Sequence, residues 1–96
     1  MKILALEREL AGATSEKFEL LLHAEARQVL VLQQEGVLRE IYFRADRRDA
    51  VIILECEDVA HAGAVLGSLP LVQAGLIDFE VIPLVPYTGL QRLVGE

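Results

Sequence analysis

The stretch Ala50-Val51-Ile52-Ile53-Leu54-Glu55-Cys56 decides how this chain folds. It is β-branched and apolar without interruption through Leu54, and successive side chains of a strand point to opposite faces. A strand that is apolar at both parities has neither face meant for water, so it belongs in the middle of a sheet, covered on both sides. Just before it, Asp46-Arg47-Arg48-Asp49 reads as a charged turn. The preceding run, Val37 to Arg44, is a strand of a different kind. Leu38, Glu40, Tyr42 and Arg44 point one way and Val37, Arg39, Ile41 and Phe43 the other, which suits a sheet edge.

Moving outward, Gly36 closes a helix where a left-handed cap is easiest. That helix starts at Thr14 or Ser15, with Glu16 in its first turn, where a carboxylate favours the helix dipole. Phe18, Leu22, Val29 and Leu32 recur along it at roughly helical spacing. Lys2 to Arg8 is a short apolar run and the first strand, and Ala11-Gly12-Ala13 is the turn that follows. On the other side, Asp58 caps a second helix from Val59 to about Leu69, with Ala62, Val65, Leu66 and Leu69 facing inward and Pro70 stopping it. A last strand, Leu76 to Leu84, sets Ile77, Phe79 and Val81 against Asp78 and Glu80.

The order β-α-β-β-α-β predicts an α+β fold of ferredoxin-like type: a four-stranded antiparallel sheet in the order 4-1-3-2, with two helices on one face. The first and third strands, central in that order, are the ones apolar on both faces. The face without helices then needs a cover, and a second copy of the chain supplies it. We therefore expect residues 1–96 to form a single domain that pairs into a homodimer or a higher homo-oligomer, sheet against sheet, around a barrel-like core.

Composition narrows the partners. Fifteen acidic against nine basic residues leave a net charge of −6, and 53% hydrophobic content places the chain among globular proteins. Arg27, Arg39, Arg44, Arg47 and Arg48 are scattered and form no stripe to neutralise a phosphate backbone, so nucleic acid is not expected as a partner. Cys56 is the only cysteine. It cannot close an internal disulfide, and no C-x-x-C pair or His/Cys cluster points to a structural metal. Glu7 and Arg8 interrupt the N-terminal apolar run too early for a secretory signal. The longest uncharged window, Val59 to Ile77, contains Gly63, Gly67, Ser68, Pro70, Gln73 and Gly75, a poor composition for a membrane helix. The expected setting is the cytoplasm, with no membrane partner. Glycine-rich nucleotide loops, the Gly-x-Ser-x-Gly elbow and the His-Glu-x-x-His pair are absent from the sequence.

Candidate chemistry follows from strand parity. If Ile52 and Leu54 face the helices, Val51, Ile53 and Glu55 face the other side, joined by Glu40, Tyr42 and Arg44 from the second strand and Asp78 and Glu80 from the fourth, with Glu7 a further candidate. Two readings of this group stand side by side. In one, Glu55 is the base of a proton-transfer site, with Arg44 or Arg39 and Tyr42 stabilising an oxyanion and Glu80 lining the cavity that holds a small-molecule ligand. In the other, these are ion pairs that tie two subunits together. His23 lies at the boundary of the apolar stripe on the first helix. It is either an acid-base group near neutral pH or a helix-boundary residue with a local hydrogen bond. His61 reads as a solvated residue of the second helix, and Cys56 as a small buried hydrophobe.

Several of these segments resemble the muconolactone delta-isomerase family of the dimeric α+β barrel class. Ser68-Leu69-Pro70-Leu71 followed by Ile77-Asp78-Phe79-Glu80-Val81 is similar to the family's Leu-Pro-Leu turn and Asp-x-Glu-Val strand. Gln34-Glu35-Gly36-Val37-Leu38-Arg39 is similar to its helix end and second strand, and His23-Ala24-Glu25 to a basic-Ala-acidic triplet on its first helix. The resemblance runs from about His23 to Pro86. It implies a dimeric barrel and a lactone isomerisation, in which a base removes a ring proton, the dienolate is held, and the proton returns at another carbon. It implies no metal or organic cofactor. The family carries tryptophans on its second strand where this chain has Leu38 and Tyr42, and there is no Trp in the sequence. The expectation is thus a relative with a substrate of its own. A non-catalytic ligand-binding module is the first alternative, and a barrel-class monooxygenase with His23 as an iron ligand the second.

Overall fold

A computed structural model describes residues 1–95. The elements are β1 (Lys2–Glu9), α1 (Ser15–Glu19), α2 (Leu22–Gln34), β2 (Leu38–Phe43), β3 (Ala50–Glu55), α3 (Val59–Gly67), α4 (Pro70–Gln73) and β4 (Ile77–Leu84), followed by a short 3-10 turn over Gly89–Leu93. The sheet is antiparallel, in the order β2-β3-β1-β4, with the two strands that are apolar at both parities in the middle.

Cross-strand register places Ile3 opposite Leu54 and Ala5 opposite Ile52. On the flanks, Ile41 faces Ile52 and Val81 faces Ala5. This parity meets the helices. Ile3, Ala5, Ile52, Leu54, Ala62, Leu66 and Leu69 form the centre of the core, all nearly inaccessible. Ala5 and Ala62 are wholly buried, and their small side chains suit a close approach of helix to sheet. A second cluster of Leu71, Leu76 and Ile77 packs with Phe18 and Leu21.

Three local features depart from the expected pattern. The register shifts between Leu38 and Glu40: Leu38 faces Leu54 while Glu40 faces Ile53, so Arg39 is an extra residue and the strand bulges. Simple alternation would put Leu38 beside Glu40 and Tyr42, but the bulge turns it into the core, where it is buried. The first helix is also broken. Thr14 caps α1 by accepting the Lys17 N–H, the segment stops at Glu19, and α2 starts again at Leu22 after a fully turned-out Leu20. Finally, Pro70 ends no helix. It starts α4, where its missing N–H costs nothing in a first turn, while α3 stops at Gly67. Gly63 and Gly67 stand over open space.

Gly36 closes α2 with φ of +79°, the left-handed geometry that glycine adopts without strain. Asp58 caps α3 by accepting the His61 N–H at 2.7 Å, and the His61 ring Nδ1 accepts the Glu57 N–H. His61 is therefore tied into the cap and half-buried. Cys56 is buried, and burial pushes its thiol up.

Beyond β4 the chain leaves the body as an arm. The molecule measures 60 × 29 × 20 Å with a radius of gyration of 15.9 Å. A compact chain of this length would have about 12.5 Å. Val85, Tyr87, Leu90 and Val94 on the arm are between 67% and 84% exposed, far more than apolar side chains with a partner would be. None of the helices is long and apolar enough to cross a membrane among the described residues.

Candidate functional site

The layer between sheet and helices is packed at the Ile3/Leu54 end and left open at the Glu7/Ala50 end. There a half-open cavity of about 1090 Å³ lies between β1, β3 and the β2–β3 turn on one side and α1 and α2 on the other. Its apolar walls come from Phe18, Val29, Ile41, Phe43, Ile52 and Phe79. Ala50, with only a methyl group, leaves space where a larger residue of β3 would reach the helices.

Two carboxyl groups enter this space from opposite walls. Glu7 shares the parity of Ile3 and Ala5, so β1 aims it at the helices and not at the opposite face expected from the sequence. Its Oε1 accepts the Ala50 N–H at 3.1 Å. Glu25 projects from the first turns of α2, and its Oε1 accepts the Leu71 N–H at 2.9 Å, tying α2 to α4. Each carboxyl thus satisfies a backbone donor from a neighbouring element and is held in one place.

Burial raises the pKa of both groups above the ordinary carboxyl value of 4.5, partly opposed in each case by the N–H bond it accepts. Glu7 is raised further by the negative charges of Asp49, Glu25 and Glu9. The two groups face one space, and the Glu25 charge adds to what holds the Glu7 proton on. Two carboxyl groups with raised pKa values facing the same apolar space are groups suited to acid-base chemistry.

Arginines surround the opening. Arg8 at the rim makes two bonds to Asp78, at 2.9 and 3.3 Å, and Arg47 binds Asp49 at 2.6 Å. Arg48 lies over the Phe43 ring, 4.8 Å from its centroid. Among the described residues there is no group of three or more His, Cys, Asp or Glu side chains arranged to hold a metal ion.

Of the residues singled out by parity only Glu7 lines this cavity, and Glu55, Tyr42, Glu40, Arg44, Asp78 and Glu80 sit elsewhere. Glu55, Tyr42 and Glu80 do share the helix-free face but do not converge. Tyr42 and Glu80 stand on the two edge strands, with two strands between them, roughly 14 Å apart in the hydrogen-bonding direction. Tyr42 is 57% exposed and donates its hydroxyl to Glu40 at 2.7 Å, a bond that raises its pKa. Glu55 lies at the end of β3, 3.7 Å from the N-terminal ammonium. Arg44 is bound twice by Asp46, and Arg39 bonds the Gly36 carbonyl next to the bulge. His23 is exposed near the start of α2, outside the cavity lining.

Parity alone puts Glu7 on the helix-free face and leaves out Glu25. The available signal was that Glu7 continues the Ile3-Ala5 series, and that Ala50, Ile52 and Leu54 form the facing series. Glu25 was within the triplet His23-Ala24-Glu25, but nothing in its helical position separates it from a solvated glutamate.

Comparison with known proteins agrees with this architecture. A muconolactone isomerase crystal structure superposes with a TM-score of 0.75 at 22% identity, over 92% of each chain. The 5-chloro-2-hydroxyhydroquinone dehydrochlorinase of Burkholderia phenoliruptrix AC1100, solved in complex with 2,5-dihydroxybenzoquinone, superposes with a TM-score of 0.70 at 14% identity, over 93% of this chain and 98% of that one. At these identities the likeness is one of fold. No curated protein matches by sequence. The profile of muconolactone delta-isomerase, however, matches residues 7–89, a span that includes Glu7, Glu25 and the whole sheet–helix body. This chain belongs to the muconolactone delta-isomerase family.

Proposed function

We propose that the cavity between sheet and helices isomerises a small enolisable lactone or ring acid by moving a proton between two carbons, with Glu25 and Glu7 as its carriers. The observation that supports this reading is the pair of half-buried carboxyls, raised by burial, that approach one apolar space from opposite walls. Glu25, ionised, takes the acidic C–H proton. Glu7, in its protonated form, returns one at the remote carbon. The electrons of the broken C–H bond pass through the dienolate into the new C–H bond, and solvent exchange resets the two carboxyls, so substrate and product are isomers. Family membership favours a lactone, and the quinone carried by the dehydrochlorinase is a planar ring of comparable size.

The test is incubation with muconolactone and related enol-lactones in deuterated water. Conversion with deuterium at the receiving carbon is expected, and Ala26→Trp, which fills the cavity from an exposed helix position, should abolish it. If none of these lactones is converted, the reading fails.

We assign the helix-free face to a second copy of the chain. Leu4, Leu6, Val51, Ile53 and Ile82 are only partly covered there, and the apolar arm beyond Leu84 also lacks a partner. On this assignment Glu55, Tyr42, Arg39, Arg44 and Glu80 belong to the contact between subunits. Sedimentation velocity should find the wild type as a dimer or larger. Ile53→Glu, which places a charge at the centre of that face, should sediment as the 10.6 kDa monomer. A monomeric wild type would refute the assignment.

A further inference from the structure

We propose that Arg48 anchors the carboxylate of a planar ring acid at the mouth of the cavity. The inference rests on the cavity being the binding site and names the group that orients what binds there.

Three arginines line the cavity. Arg8 is neutralised by two bonds to Asp78, and Arg47 by Asp49 at 2.6 Å. Arg48 has no carboxylate within ion-pair distance among the described residues. Its guanidinium instead rests on Phe43, the last residue of β2 and itself part of the wall. Stacking occupies the face of the guanidinium and leaves its N–H edge available, and that edge is the part that matches a carboxylate in two parallel bonds. A ring acid seated here would lie against Phe43 and Phe79 and meet Arg48 with its charged end.

The remaining charges give this contact a direction. Glu7, Glu9, Glu19 and Glu25 also line the cavity, and the fifth acid there, Asp49, is paired with Arg47, so the unpaired charges favour an anionic group at Arg48 over the deeper cavity. The carboxylate of the ligand is thereby held at the mouth, and the apolar, C–H-bearing part of the ring is turned toward Glu7 and Glu25. Without that cation the same cavity would accept a neutral ring in either orientation and resist an anion.

The experiment uses benzoate as the probe and benzamide, its neutral isostere, measured by isothermal titration against the full chain. Benzoate is expected to bind more tightly, and Arg48→Gln should weaken it about tenfold, the effect of losing one charge-assisted pair, while benzamide is unchanged. Arg44→Gln, which removes an arginine paired with Asp46 outside the cavity, should leave both probes unaffected. If Arg48→Gln leaves the ratio of the two affinities unchanged while Ala26→Trp abolishes both, the role of Arg48 is refuted and the cavity stands. If both probes survive Ala26→Trp, or neither binds the wild type, the inference is overturned as well.

Discussion

Glu7→Gln and Glu25→Gln should each lower turnover by about 10²- to 10⁴-fold, the contribution typical of a positioned acid or base. Glutamine keeps the carbonyl oxygen that accepts the Ala50 N–H at position 7 and the Leu71 N–H at position 25, so the local architecture is retained and only the titrating group is lost. Stability provides the control. The folded-state pKa of each glutamate lies above the ordinary 4.5, so the protonated form favours folding. That contribution is fully present below about pH 4.5 and is lost as pH rises through the raised value. Each Gln variant should therefore match the wild type at low pH and become the more stable protein as pH rises past the carboxyl range. A circular-dichroism melt across pH, run beside the kinetics, separates the two roles. Variants that lose activity because they unfold would contradict the assignment, and so would variants that fold and turn over at the wild-type rate.

Leu54→Ala should cause the largest loss of stability. Leu54 is fully buried in a central strand, opposite Ile3 on one side and Leu38 on the other, and packed within the core formed by Ala62, Leu66 and Leu69. Removing a buried leucine side chain costs about 2–5 kcal/mol, because the cavity left behind collapses only partly. In a domain of this size each kcal/mol shifts Tm by roughly 4–8 °C, so a drop of at least about 8 °C is expected in a thermal melt. Val51→Ala, three residues earlier on the same strand but facing the side without helices, should cost less in a dissociated monomer. A small shift for Leu54→Ala would mean that the helix layer is not packed as described.

Much of the fold was legible because it rests on local periodicity. The run through Leu54 had to be a central strand, Lys2 to Arg8 had to be another, and Asp58 and Thr14 marked helix starts by their ability to accept backbone N–H groups. The sheet order followed from which strands avoid water on both faces. The candidate site was not legible in the same way. One extra residue at Arg39 exchanged the two faces of β2 around it, and no property of Leu38-Arg39-Glu40 announces a bulge. Assigning Glu7 to the wrong face came from treating each strand's parity separately, when the pairing with β3 decides it. Charge near apolar residues on the helix-free face looked like a buried cluster, but side chains two strands apart do not converge.

By itself the sequence determined the order of the elements and the central place of two strands. Each of these depends on residues close together in the chain, where spacing translates directly into the side of a strand or helix. Only the tertiary structure decided that Glu7 and Glu25 share one space, that Ala50 leaves room between them, and that Arg48 is the cavity arginine with no carboxylate partner among the described residues. Those are facts about register and packing between distant segments. They depend on which of several possible pairings excludes the most water, and no single segment carries that information.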